Sequence, residues 1–342
     1  MTAKSAERAA RLLVTGLVAG LVLAVVVGRW VVETRPGASL LHARIAEAGG
    51  WTPGDLSATV GKPLHLRLTS DDVMHGFAVG QTDWPAVDVL PGKATDVTLT
   101  FDRPGTYTFY CTRWCGLNHW RMRGTIEVRG PVEDRLQTAA ELATTTPPSY
   151  VTLGLDIDAP HLAAVIPARK PSAARGANLG VTIPAAYLTQ DYYRAHSPAK
   201  IWQALRVETR HGASLLTDDD VWDLVAFVWQ SNISPEALAE GKALYASNCA
   251  ACHGETGAGD GVMAAALGQQ SHAETGGDTK APVAFTDASS MLGASPALLQ
   301  GKIIRGGMGT GMPYWGPIFT EAQTWALVDY LWTFQFETEY AP

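Results

Sequence analysis

Cysteine is nearly absent. Four thiols serve 342 residues: Cys111, Cys115, Cys249 and Cys252. That leaves no room for a disulfide-dense scaffold, and a bond within either close pair would shut a very small loop and stabilise little. Each pair instead has a histidine beside it, His119 and His253, which a disulfide does not need. Cofactor binding is therefore the better reading of both pairs. Charge is also sparse, at 17% of residues, with a net charge of −7 and a pI near 5.7. There is no basic tract to neutralise phosphates, which argues against nucleic acid as a partner.

Leu12 to Gly28 is an uncharged run rich in Leu, Val, Ala and Gly. With Arg29 snorkelling and Trp30-Val31-Val32 behind it, the run reaches about 20 residues, enough to cross a ~30 Å hydrocarbon core. Val25 to Arg29 offers no small-x-small cleavage site, so the expectation is an uncleaved anchor rather than a leader peptide. Lys4, Arg8 and Arg11 precede it, which keeps the N-terminus in the cytoplasm and puts everything after residue 33 on the outer face. Residues 1–36 are read as this cytoplasmic end and membrane anchor.

The chemistry concentrates in Cys111-Thr-Arg-Trp-Cys115-Gly-Leu-Asn-His119-Trp-Arg-Met122. Thiolate, imidazole and thioether are soft or borderline metal ligands. A mononuclear blue-copper loop has a single cysteine, whereas two thiolates at this spacing suit two metals bridged by two sulfurs. Around the loop, 56–60, 64–68 and 97–101 alternate apolar with polar residues and read as strands, as do 106–110 and 125–128. Gly61-Lys62-Pro63, Pro91-Gly92-Lys93 and Arg103-Pro104-Gly105 punctuate them as turns. Many short strands at turn spacing predict a Greek-key sandwich over 37–130. His75, in Asp72-Val-Met-His75-Gly-Phe77, is the candidate for the ligand the loop lacks.

Asp72 to Phe77, Val87-Asp-Val-Leu-Pro91-Gly92-Lys93, Arg103-Pro-Gly105 and Cys111 to Met122 together resemble the CuA domain of subunit II of haem–copper oxidases, most similarly the B-type branch. The resemblance covers about residues 51–129. It implies a cupredoxin fold with a dinuclear copper centre: Cys111 and Cys115 bridge both coppers, and His75 and His119 bind one each. Met122 and the backbone carbonyl of Arg113 would be weak ligands. The family usually carries an acidic or amide side chain where Arg113 stands, and the arginine is expected to alter the local potential. Trp84, Trp114 and Trp120 are candidates for surface or relay aromatics or for plain packing.

The stretch 131–232 has no cysteine and no evident ligand pair. Thr144 to Pro148 and Pro167 to Pro171 read as linker or loop. Ser197-Pro-Ala, Thr217-Asp-Asp-Asp220 and Val221 to Trp229 match Ser295-Pro-Ala, Phe319-Thr-Glu321 and Trp325 to Trp332, with Trp222, Leu224, Val225 and Trp229 over Trp325, Leu327, Val328 and Trp332. This internal repeat is read as a cytochrome c-like unit without haem. His161, His196 and His211 are expected at its surface rather than as ligands.

Over 233–342, Ser234 and Pro235 open a helix as N-cap and N1. It leads into Cys249-Ala-Ala-Cys252-His253, a c-type haem attachment signature. With the helix, a Gly-rich loop and a closing Trp-rich helix, the segment resembles class I cytochrome c over about 100 residues. The resemblance implies one covalently bound haem c on Cys249 and Cys252, with His253 on the iron. Gly311-Met312-Pro313 is similar to the family's Met-Pro ligand loop, so Met312 is the expected sixth ligand and Met308 its rival. The haem segment is acidic and the copper loop carries Arg113, Arg121 and Arg123. Two readings stand: an acidic domain docking on a basic rim, or a solvated acidic surface.

The expected fold class is thus a multidomain chain: one N-terminal transmembrane helix, an all-β cupredoxin Greek-key sandwich, then all-α cytochrome c-like units. The resemblance implies the electron-transfer subunit II of a membrane cytochrome c oxidase, taking electrons from a soluble cytochrome c or small copper protein through haem c and CuA to a catalytic haem–copper subunit I that reduces oxygen. The chain would sit in a bacterial-type plasma membrane in contact with lipid, with its soluble domains periplasmic and no oxygen-reducing site of its own. Two alternatives remain at this stage: a CuA-containing subunit of a nitric oxide reductase, and a membrane-tethered carrier with no dedicated catalytic subunit.

Overall fold

A computed structural model of the chain describes residues 12–21, 23, 38–116, 118–131, 147–208, 216–269, 281–307 and 312–340. The expected anchor beyond Leu23, the basic Lys4, Arg8 and Arg11, residues 132–146, His211 and Met308 lie outside them. Residues 12–21 are helical, and Leu12, Leu13, Leu17 and Leu21 are exposed. Among the described residues no helix is long and apolar enough to cross a membrane.

The strands that follow, among the described residues, are β1 (Ala38–Ala43), β2 (Trp51–Thr52), β3 (Asp55–Thr59), β4 (Pro63–Ser70), β5 (His75–Val79), β6 (Val87–Val89), β7 (Ala94–Thr100), β8 (Gly105–Tyr110) and β9 (Arg123–Arg129). They form two sheets, in the orders β2-β1-β4-β7 and β3-β9-β8-β5-β6. β1 runs parallel to β4 and β3 parallel to β9, while the other pairs are antiparallel. Alternation sends Leu66 and Leu68 of β4, Phe109 of β8 and Ile126 and Val128 of β9 into one core between the layers. β5 carries no alternation because all five of its side chains are buried. A strand of that kind has no period of two to read, and the sequence patterns give no expectation of β1, β5 or β6.

From residue 149 onward the described residues form helices joined by turns and loops, with isolated bridges and no longer strand. The elements that matter here are α1 (Ala173–Ala177), α2 (Pro198–Glu208), α3 (Asp218–Gln230), α4 (Pro235–Asn248), α5 (Ala250–His253), α6 (Pro296–Arg305) and α7 (Glu321–Leu331). Ser234 caps α4 by accepting from the Ala237 N–H, with Pro235 in the first turn. One core joins Ile157, Trp222 and Trp229 to Tyr245, Trp332 and Phe336, so 149–232 and the segment after it are packed as one body.

Two helix crossings in this body are built alike. A Cβ added at Gly176 of α1 would overlap the Asp223 carbonyl oxygen of α3. One added at Gly241 of α4 would overlap the Ala326 carbonyl oxygen of α7. When Trp222 is aligned with Trp325, Asp223 falls on Ala326. α3 and α7 also start with the same device, capping boxes at Thr217–Asp220 and Thr320–Gln323. The crossings differ in one respect. Asp223 is buried and accepts from Arg169 Nη2 at 2.7 Å, Arg175 Nε at 3.0 Å and the Ser172 N–H at 2.7 Å, where the second crossing has an alanine.

Candidate metal centres

Three local structures bring the first ligand set together. His75 opens β5, Cys111 follows the last residue of β8, and Cys115, His119 and Met122 occupy the loop from β8 to β9. β5 and β8 are paired through Ala78–Tyr110, which places His75 beside Cys111 although 36 residues separate them. Asn118 turns the loop through a left-handed conformation (φ 56°) and a single 3₁₀ turn, His119–Arg121, carries the second imidazole.

The donors converge. Cys111 Sγ lies 3.9 Å from Cys115 Sγ, 3.8 Å from His75 Nδ1 and 3.2 Å from the Arg113 carbonyl oxygen. Cys115 Sγ lies 3.4 Å from His119 Nδ1 and 3.2 Å from Met122 Sδ. The donor atoms of His75, Cys111 and Cys115 are all within 4.8 Å of one another. The sulfurs are far beyond the about 2.05 Å of a disulfide, and both cysteines are free. Two thiols facing each other, each with its own imidazole and each with one weak donor, fit a pair of soft metal ions sharing both sulfurs. The Arg113 side chain leaves the site and pairs with Asp88 at 2.8 Å, so only its carbonyl faces the sulfurs.

The surroundings hold these groups in place. Asp72 accepts from His75 Nε2–H at 2.7 Å, which turns the Nδ1 lone pair toward Cys111. Burial opposes ionisation of Asp72, but hydrogen bonds from His75 and the Ile45 and Val73 N–H groups outweigh it and hold the carboxyl below its usual range. The Cys111 thiol is pushed well down because Cys115 hydrogen-bonds to its sulfur. Gly76 donates its N–H to Cys111 Sγ at 3.5 Å, and a Cβ there would overlap Thr112 Oγ1, so only glycine fits. Trp51 closes the floor: it is buried, donates Nε1–H to the Met122 carbonyl at 3.2 Å and meets Phe77 and Phe109 edge-on. In the sequence Asp72 stands out only as a neighbour of His75, and no signal there marks the roles of Gly76 and Trp51.

The second set lies at the end of α4. Cys249, Cys252, His253, Met312, Pro313 and Trp315 line a cavity of about 310 Å³. His253 donates Nδ1–H to the Val283 carbonyl at 3.0 Å and stacks on Phe285 at 4.5 Å, which frees Nε2 as a ligand atom. Burial pushes this imidazole's pKa down, which favours the neutral form an iron ligand needs. Met312 is tied across the loop by the Gly307 N–H donating to its carbonyl. The cavity is mostly apolar, although Asp158, Asn248, Lys302 and Arg305 also line it, and it carries two thiols, one oriented imidazole and one thioether, the donors a covalently attached haem requires. His161 and His196 lie apart from both sets; His196 stacks on Tyr192 at 4.0 Å.

Residues 55–129 match the family model for the cytochrome c oxidase subunit II periplasmic domain, and 238–335 match that for cytochrome c. A cytochrome c oxidase subunit 2 from Thermus thermophilus is 40% identical over 99 residues, which cover 29% of this chain and 72% of that protein. The chain belongs to the cytochrome c oxidase subunit 2 family. Its relatives are non-catalytic subunits of an oxidoreductase complex. A second Thermus thermophilus subunit 2 is also 40% identical over 99 residues, and there the match spans 58% of the relative's length. Among solved structures, the periplasmic domain of subunit II of the cytochrome oxidase of Bradyrhizobium japonicum aligns at 21% identity over 27% of this chain and 66% of its own, with a TM-score of 0.21. As a subunit 2 chain with a cytochrome c domain, it is a copper- and haem-type electron-transfer protein.

Proposed function

We propose that this subunit 2 is the electron-entry chain of a membrane haem–copper oxidase, with both redox centres in one polypeptide. The observation that carries the reading is the Cys111–Cys115 sulfur pair flanked by His75, His119, Met122 and the Arg113 carbonyl, in the same chain as the Cys249–His253 cavity. The first set would hold a dinuclear copper. Cys249 and Cys252 would bond one haem c, with His253 and Met312 on its iron. When bound, a copper pair sharing two thiolates supplies one-electron chemistry with little change in bond length. A haem with imidazole and thioether ligands likewise suits electron transfer and leaves the iron closed to small molecules.

The chain's own residues orient these donors, exclude water and fix the tautomers of His75 and His253. With all of these donors engaged, neither metal would keep a position for oxygen. Electrons would enter from a soluble cytochrome c or small copper protein, pass through haem c and then CuA, and leave for a catalytic subunit I that reduces oxygen. Residues 1–36 would anchor the chain, N-terminus inside, in a plasma membrane, with 37–130, 131–232 and 233–342 on the periplasmic face. The 131–232 part is read as a cytochrome c-like unit without haem. Its α1–α3 crossing repeats the α4–α7 crossing, and it holds no cysteine.

Purification from membranes tests this. The expected preparation contains subunit I, two coppers and one haem c per subunit 2, and consumes oxygen. A chain that comes away alone and monomeric, or that carries two haems, would overturn it. Consumption of nitric oxide but not oxygen would move it to the reductase reading.

A further inference from the structure

The sandwich and the helical body meet along a narrow seam, and the residues of that seam sit next to both candidate metal loops. Arg123 directly follows Met122. Its Nη1 donates to the Tyr314 carbonyl at 2.7 Å, and its guanidinium lies 5.3 Å over the Trp315 ring. Tyr314 and Trp315 follow Met312-Pro313, and Met312, Pro313 and Trp315 line the haem cavity. The Arg123 side chain, one hydrogen bond and the 312–314 backbone therefore make a continuous path from Met122 to Met312. Beside this bridge, at the end of β5, the backbones touch. The Gln81 N–H donates to the Ile318 carbonyl at 2.9 Å, and Gln81 Nε2 donates to the Gly316 carbonyl at 2.8 Å. A Cβ on Gly80 would lie 2.7 Å from the Pro317 carbonyl oxygen and 2.8 Å from the Ile318 Cα, so the approach requires glycine. A second connection runs through a cleft of about 350 Å³ lined by Thr112 and Arg113 of the copper loop and by Asn248, which precedes Cys249 and also lines the haem cavity.

The chemistry of this seam is not that of an acidic domain on a basic rim. Arg113 is spent on Asp88 within its own domain, and Arg123 takes a backbone carbonyl and an aromatic face. Backbone hydrogen bonds and close glycine packing need fixed geometry and are insensitive to salt, whereas exposed complementary charges give transient, screened encounters.

We propose that the haem domain is permanently seated on the copper domain through Gly80, Gln81 and Arg123 against residues 314–318, with Arg123 the positioning residue that sets the haem loop against the copper loop. The proposal rests on reading the two loops as copper and haem sites. The seam can nevertheless be measured without copper. The exchange it serves moves one electron from the haem iron to the copper pair, with no bond made or broken and no proton or leaving group involved.

The test uses the full chain in detergent, with copper stripped, and follows amide hydrogen exchange by mass spectrometry. The Gln81 amide, whose acceptor is the Ile318 carbonyl across the seam, should be protected. Gly80→Val and Arg123→Ala should each speed its exchange by about tenfold or more while leaving β7 and the Trp315 and Gly316 amides, which bond within the helical body, unchanged. Arg123→Lys keeps the charge but loses the guanidinium over the Trp315 ring, and should recover protection only in part. In the copper-loaded chain, the haem is reduced by a photoexcited ruthenium complex. Re-oxidation by the copper site should then keep one rate between low and high salt and slow at least about tenfold in Gly80→Val, with haem and copper absorption unaltered. An unprotected wild-type Gln81 amide, or a wild-type rate that falls with salt, would overturn the seating. Should a variant lose protection throughout, the wild-type exchange and salt arms still decide. Missing copper or haem would instead count against the reading of the sites.

Discussion

Asp72 Oδ1 lies 2.7 Å from His75 Nε2, and that contact decides which nitrogen of the ring faces the sulfur pair. A carboxylate can only accept here, so Nε2 carries the hydrogen and Nδ1 offers its lone pair. The side chain of His75 is fully buried, with this carboxylate between its Nε2 and solvent. Asp72→Ala should therefore weaken copper binding by about 10–100-fold, with Asp72→Asn intermediate. Competition titration against a copper chelator checks this, and wild-type affinity in Asp72→Ala would show the contact to be structural only.

Cys115→Ser removes the sulfur that faces Cys111 at 3.9 Å, His119 at 3.4 Å and Met122 at 3.2 Å. The expected protein has lost its mixed-valence copper signal in visible and spin-resonance spectra and binds fewer than two coppers. Its haem spectrum should be unchanged, because the haem cavity shares no residue with the copper ligands. A mixed-valence signal surviving in this variant would rule out a second bridging thiolate.

Gly241→Ala and Gly176→Ala probe the paired helix crossings. Each new methyl would run into a helix carbonyl oxygen, backbone that cannot move aside without shifting a helix. Each substitution should destabilise by about 1–3 kcal/mol, the usual penalty for overpacking. Thermal unfolding measures it. A similar loss at Gly176, in a segment that holds no cysteine, would show that the crossing matters there for packing alone.

Asp329 on α7 is buried and accepts from Tyr193 Oη at 3.0 Å. Burial pushes its carboxyl up to about 7 from an ordinary 3.8, against the opposing effects of Tyr193 and Arg194. Between about pH 4 and 7 the folded chain keeps a proton there that the unfolded chain has released. Stability from this group is therefore present below about pH 4 and falls as pH rises to about 7. Asp329→Asn should flatten that part of the stability profile in chemical unfolding from about pH 4 to 8. An unchanged slope would place the titration elsewhere.

Much of the copper site was legible because four of its side chains fall within one twelve-residue loop, where spacing alone brings them close. The haem site was legible for the same reason, since Cys249, Cys252 and His253 lie within one short stretch of chain. Strands β3, β4, β7, β8 and β9 declared themselves by alternation. β5 did not, since all its side chains are buried and no periodicity marks it. Yet β5 carries His75, and its pairing with β8 brings that ligand to the loop that holds the other side chains.

The donor chemistry, the copper-type loop, the haem attachment signature and the all-β then all-α order can all be read from residues close along the chain. Only the tertiary structure decided that Asp72 orients His75, that Arg113 turns outward to Asp88, and that Arg123 reaches the Met312 loop rather than an acidic patch. Arg123 and Tyr314 are 191 residues apart. Contacts of that range arise from how two folded surfaces pack, and no local spacing or charge count encodes the fit of a glycine against a neighbouring backbone.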